Sequence, residues 1–417
     1  MDLISLLVLC ATLVIAFVFK LNSGLVAIAA SLILALATGT PEKFLISSFN
    51  NSLFLMLLGV MYLFSIAQEN KTLELLAKKT FALCKGNKKI LPVVIFLISA
   101  VISAVGPGLI SVTALVSVLI VALAKEMNTP AIRLIPFGMM GAFAGGLSTI
   151  TPSGIVAVSI SAEHGITGVE ASMPWMMALT CVLYAAILYF FVFKWHKEKK
   201  SAPAAEGNKL SAPIPPFSAK QIITLVGIAA VAIISSVFKL NVGLTAFTVS
   251  VILTLLKVAD EGAALKKAPW STLVMITGVG ILISLVTKLG GIDLLSNALS
   301  SLSTASTIAP IMSLLAGVMS WVSSASGVVM PTLIPTVPDM VQTLPGANAV
   351  ELVSCISIGA NMAAISPLSS CGALMLAAYT SSGDVSPKDR NKMFLQLFLL
   401  SAGAVAFTAV CALIGIY

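Results

Sequence analysis

VFKLNSGLVAIAASLILAL (residues 18–36) and VFKLNVGLTAFTVSVILTL (residues 237–255) are one segment written twice. At an offset of 219 residues, 12 of the 19 positions match. The pairing runs on through Ser52/Ser271, Met56/Met275, Gly59/Gly278, Val60/Val279, Leu63/Leu282, Ser65/Ser284, Leu75/Leu294 and Leu76/Leu295. At offset 218, MGAFAGGLSTITPSG (140–154) faces IGANMAAISPLSSCG (358–372). That alignment pairs Gly141/Gly359, Ala142/Ala360, Ser148/Ser366 and Gly154/Gly372, and Thr151/Ser369 keeps the hydroxyl. Biased composition aligns Leu and Ala by chance, but not Lys-Leu-Asn-x-Gly-Leu in both halves. Self-similarity of this kind means two copies of one structural unit. Between them, KWHKEKKSAPAAEGNKLSAPIPPFSAK (194–220) is polar, Pro-rich and charged, the composition of a linker. The chain therefore divides into an N-terminal repeat 1–193, a linker 194–220 and a C-terminal repeat 221–417.

Each unit is made for lipid. The 417 residues are 58% apolar and only 10% charged, with a mean hydropathy of +1.07. A soluble domain carries about 25% charged residues. A soluble enzyme, a disordered chain and a nucleic-acid binder are thereby excluded, and no enzymatic activity is expected. Long apolar runs mark transmembrane helices. They cover 3–19, 22–40, 50–67, 90–124, 134–160 and 173–193 in the first half, and 221–238, 240–256, 271–287, 307–338, 352–381 and 394–416 in the second. The first run has no charged n-region and no cleavage site, so it reads as a retained span. Cys10, Cys84, Cys181, Cys355, Cys371 and Cys411 are scattered without metal-ligand spacing. His164 and His196 lie far apart in loops, and no P-loop motif is present.

Two runs per half are interrupted. The stretch 90–124 breaks at Gly106-Pro107-Gly108, and 307–338 breaks at Ser323-Ser324-Ala325-Ser326-Gly327. Each arm is about 15 residues, short of the ~20 that a crossing needs, so each pair reads as a re-entrant hairpin. The runs 134–160 and 352–381 break at Ser148–Gly154 and Ser366–Gly372 and read as discontinuous spans. The fold class is an all-α polytopic membrane protein of two repeats, each with about five spanning helices, one hairpin and one broken helix. Five crossings is an odd number, so the second repeat is inverted.

The charges give the orientation. With both termini outside and the linker in the cytoplasm, 21 of the 24 Lys and Arg fall inside, and only Lys43, Lys239 and Lys288 fall outside. The net charge of +8 then reports topology in the inner cell membrane rather than a polyanionic partner. Lys78 to Lys89 form a basic amphipathic stretch that suits the inner surface.

Irregular backbone survives at membrane depth only where protein buries it or a watered cavity lies beside it. In carriers of inverted repeats such breaks meet near the midplane, where helix N-termini attract an anion and unwound carbonyls bind sodium. The candidate site is therefore Gly106, Pro107 and Gly108; Ser148, Thr149, Thr151 and Ser153; Ser323, Ser324, Ser326 and Gly327; and Ser366, Pro367, Ser369 and Ser370. Asn361, a polar residue in an apolar run, is added, and Trp321 stands near a tip. No Asp, Glu, Lys, Arg or His lies inside any run. That argues against a buried-carboxylate proton relay and for hydroxyls, carbonyls and helix dipoles that hold a small anion with sodium. No cofactor other than sodium is expected.

Two inverted halves, each with a hairpin and then a broken span, resemble the ion transporter superfamily. Within it, LISAVISAVGPG (97–108) is similar to the MatC-type dicarboxylate carriers, and more distantly to the divalent-anion:sodium symporters and to large permease subunits of tripartite transporters. The resemblance implies an elevator carrier, a homodimer held by the first spans of each half, and a C4-dicarboxylate or related carboxylate as substrate, driven by sodium or protons. The Ser-Asn-Thr tip motif of divalent-anion symporters is replaced here by Gly106-Pro107-Gly108 and Ser324-Ala325-Ser326-Gly327. A tripartite permease subunit, an inorganic ion exchanger and a channel are the alternatives.

Overall fold

Asn22 and Asn241, matched in the repeat, open equivalent helices in the same way. Each side-chain oxygen accepts a hydrogen bond from the backbone N–H two residues on, at 2.9 Å to Gly24 and 3.0 Å to Gly243. Asn is a strong cap because it satisfies a donor that the first helical turn leaves orphaned. The computed structural model describes residues 1–82, 90–126, 130–190, 215–238, 240–381 and 385–417. The linker from 194 to 214, with its lysines, lies outside them, as do Lys85, Lys88, Lys89 and Lys239.

The described chain is all helical, without a strand. The first half runs α1 (Asp2–Val18), α2 (Ser23–Thr38), α3 (Glu42–Ser47), α4 (Asn51–Glu69) and α5 (Thr72–Ala82). It continues with α6 (Leu91–Ala104), α7 (Gly108–Glu126), α8 (Ile135–Ala144), α9 (Pro152–Glu163) and α10 (Val169–Leu188). The second half begins with α11 (Ala219–Phe238), α12 (Val242–Leu255), α13 (Glu261–Lys267), α14 (Trp270–Lys288) and α15 (Gly291–Ser301). Then come α16 (Ile308–Val322), a π turn (Ala325–Val329), α17 (Met330–Leu333), α18 (Val337–Thr343), α19 (Ala349–Met362), α20 (Ser370–Ser381) and α21 (Pro387–Leu413). The two arms on either side of the break at Ser323–Ser324, Ile308–Val322 and Ala325–Thr343, are bent by 117°.

Two kinds of packing divide these helices. In the first, α2 lies on α14 and α12 lies on α4. The crossings are glycine contacts: a Cβ on Gly278 would sit 2.4 Å from the Gly24 carbonyl oxygen, and one on Gly59 would sit 2.1 Å from that of Gly243. Gly24 pairs with Gly243 in the repeat and Gly59 with Gly278, so one contact is the other with the halves exchanged. In the second, each hairpin's first arm lies along the first arm of its broken span, α6 on α8 and α16 on α19. The α8 and α19 arms are buried along nearly their whole length. A helix apolar all round belongs in a protein core.

The ends of the helices sort the charges. At one end Lys267 pairs with Glu69, Asn70 Nδ2 donates to Thr224 at 2.7 Å, and Asn22 Nδ2 donates to the Ser271 carbonyl at 2.8 Å. Lys20, Lys71, Lys220 and Lys266 adjoin these contacts in sequence. At the other end Lys288 lies over the Phe44 ring at 4.1 Å, and Asn50 donates to Glu163.

Candidate functional site

The breaks are built locally. Gly106 and Gly108 carry φ of 140° and 75°, which favour glycine, and close the first tip between α6 and α7. A Cβ on Gly106 would lie 2.2 Å from the Phe64 ring, and one on Gly108 would lie 2.9 Å from Pro152. The tip is thus wedged between α4 and the first broken span. At the second tip the Ser324 hydroxyl accepts from the Gly327 N–H at 3.1 Å, and a Cβ on Gly327 would meet the Met275 side chain at 2.5 Å.

The broken spans open earlier than their prolines suggest. The α8 helix stops at Ala144 and α9 starts on Pro152, so the unwound stretch is 145–151 rather than 148–154. Proline is tolerated at the first helical position because the missing N–H is an orphan there. Thr151 is the cap: its hydroxyl accepts from Gly154 N and lies 2.7 Å from the carbonyl oxygens of Gly146 and Ser148. In the second half α19 passes through a short 3-10 turn, Ala363–Ile365, and α20 starts at Ser370. Ser366 there accepts from Leu368 N at 3.2 Å.

One cavity of about 280 Å³ joins these pieces. The first tip gives it Gly106, Pro107 and Gly108, the first broken span Pro152 and Ser153, and the second tip Ser326. Ser65 and Gln68 of α4, Ser111 of α7, Thr272 of α14 and Lys267 complete its polar lining. Of the residues expected from the sequence, Ser148, Thr149, Thr151, Ser323, Ser324, Gly327, Asn361, Ser366, Pro367, Ser369 and Ser370 do not line it. Several of those hydroxyls are engaged in the backbone, Thr151, Ser324 and Ser366 as above and Ser323 through the Met319 carbonyl at 2.6 Å. Trp321 donates to Ser401 at 2.9 Å and packs near Phe398, a role that joins α16 to α21. Asn361 is fully buried; its Nδ2 donates to the Ser357 carbonyl at 2.7 Å, and its Oδ1 has no partner.

The lining that sequence reading missed is Ser65, Gln68, Ser111, Lys267 and Thr272. Ser65 had a signal, its repeat match with Ser284. Lys267 and Gln68 had none, because α13 is what folds the lysine back onto the end of α4. Among the described residues no cluster of His, Cys, Asp and Glu is able to hold a metal ion. Such a lining offers several hydroxyls and one ammonium, groups whose chemistry suits an anion; the Gly106 N–H already donates to the Ser103 carbonyl at 3.2 Å.

A family model described as CitMHS, citrate transporter, matches residues 13–359. The fold is similar to that of the YdaH transporter from Alcanivorax borkumensis, whose crystal structure is described as revealing an unusual topology. The TM-score is 0.61 at 12% identity, over 89% of this chain and 88% of that one, which is a likeness of fold. No curated protein matches the chain in sequence.

Proposed function

The chain belongs to the CitMHS citrate transporter family, and from that premise we propose that it is a secondary active carrier of citrate or a related di- or tricarboxylate, working by an elevator movement with sodium as co-substrate. A multi-pass membrane protein of a transporter family needs a site that opens alternately to the two sides. The cavity is small against the ~300–1,000 Å³ of pockets for drug-sized ligands, which suits a small metabolite.

The observation that carries the elevator reading is a register mismatch. The α4/α12 and α2/α14 crossings obey the repeat, but the hairpin tips do not. The first tip rests on Phe64 and the second on Met275. Under the offset of 219, Phe64 matches Ile283 and Met275 matches Met56. Both tips are therefore displaced toward the end where Glu69 meets Lys267. A body that slides along a fixed symmetric frame gives this pattern, and exchanging the two halves describes its opposite state. The cation-rich end is the cytoplasmic one by the positive-inside rule, which makes this the inward-facing state.

Sodium is favoured over protons as the driving ion. Among the described residues the cavity lining has no carboxylate or histidine to carry a proton, and Lys267 is its one charged side chain. The hydroxyls of Ser65, Ser111, Ser153, Thr272 and Ser326 are hard oxygen donors for a small cation. Uptake that saturates and shows counterflow in proteoliposomes tests the carrier; single-channel currents, or flux linear in substrate, overturn it.

A further inference from the structure

We propose that Lys267 is a specificity residue that engages a carboxylate of the substrate at the open end of the cavity, and that Glu69 holds the lysine until the anion displaces it. The inference rests on the anion-carrier reading. Lys267 ends α13 and lines the cavity together with Gln68, whereas its ion-pair partner Glu69 does not line it. Its side chain is 44% exposed and that of Glu69 24% exposed. Ion pairs reached by water in this way are held weakly, so exchanging one carboxylate for another costs little. A lysine is a compact charge on a flexible stem, able to reach from Glu69 into the cavity without moving the backbone.

The repeat shows that the fold does not require this pair. Glu69 matches Lys288 and Lys267 matches Ser48. At the opposite end of the frame the contact among the described residues is Lys288 over Phe44, a cation on a ring rather than on a carboxylate. Packing of α13 on α4 has its counterpart in α3 on α14, so the short helix is anchored either way. What Glu69 adds is a competitor for the anion at one mouth only. Because α13 lies on α4, Lys267 belongs to the fixed frame and meets the substrate only when the site is at its end.

The effect is therefore one-sided. The test uses the full-length protein with radiolabelled citrate in inside-out and right-side-out vesicles. Lys267→Gln is expected to raise KM about fivefold from the side on which Lys267 lies and to change KM from the other side much less, the maximal rates of the two directions shifting against each other so that their Vmax/KM ratio is kept. Glu69→Gln is expected to lower KM on that side and to steepen its dependence on ionic strength. The swapped pair K267E/E69K restores an ion pair but leaves the lysine outside the lining, so KM stays high; Lys267→Arg keeps KM near wild type. Lys266→Gln, one residue away and outside the cavity, serves as control. Unchanged KM in Lys267→Gln, or recovery of wild-type KM in the swap, overturns the role and leaves a structural pair. Wild-type protein that takes up no carboxylate defeats the anion-carrier reading itself, a result distinct from a failure of Lys267 alone.

Discussion

Cysteine pairs between the first hairpin tip and α4 measure the proposed sliding directly. The first tip now lies against Phe64, where a Cβ on Gly106 would come within 2.2 Å of the ring. The second tip lies against Met275. Exchanging the halves carries the first tip from Phe64 to Met56 and the second from Met275 to Ile283. Each step is eight positions along a helix, and at a rise of ~1.5 Å per residue this is about 12 Å. A disulfide requires Cα atoms within about 4.4–6.8 Å, so one tip residue cannot bridge to both levels in a single state. Val105, beside the tip, lines a small hollow with Phe64 and Val60 and serves as the anchor. In a cysteine-free background, V105C/F64C is expected to crosslink in the present state and V105C/M56C only in the opposite one. Oxidation is read as a gel shift in membranes, with uptake measured before and after reduction. Both pairs should form in separate active proteins, each should stop transport, and reductant should restore it. If V105C/M56C never forms in an active protein, or if either crosslink forms without loss of transport, the tips do not travel and the elevator reasoning is wrong.

Two further outcomes follow from the packing. Gly278→Leu places a side chain where even a Cβ would be 2.4 Å from the Gly24 carbonyl oxygen; overpacking costs typically about 1–3 kcal/mol and more against backbone. The purified protein should melt at a lower temperature, whereas Gly280→Ala, whose Cβ meets nothing within 4 Å, should not. Ser326→Leu and Ser153→Leu fill the cavity and should abolish uptake while the protein still inserts, as surface labelling reports. Thr151→Val removes a helix cap worth about 1 kcal/mol and should appear chiefly in the melting temperature; the reverse distribution would show that Thr151, and not the cavity serines, meets the substrate.

Much of this architecture was legible in the chain. The doubled Lys-Leu-Asn-x-Gly-Leu segment, the helical class and the helix breaks at Gly106–Gly108 and Ser323–Gly327 are properties of local sequence, and Gly, Pro and Ser punctuate them. The expected superfamily is borne out, with citrate transporters as the family. The role of Thr151 was also available: a threonine before a proline is a helix-start signal, and reading it as a free hydroxyl overlooked the cap. Other features were not available in principle. The unequal seating of the tips, one on Phe64 and the other on Met275, is invisible to a sequence repeat, because matched halves predict matched contacts. Lys267 in the cavity depends on a tertiary fold-back of α13 that no periodicity announces, and in the sequence it was one more cation of an orienting loop.

The most direct test of the account is uptake of radiolabelled citrate by proteoliposomes of the purified protein, with and without an inward sodium gradient. The account predicts saturable accumulation above equilibrium that requires the gradient and collapses with a sodium ionophore. Absence of citrate or dicarboxylate accumulation under any sodium or proton gradient would contradict it.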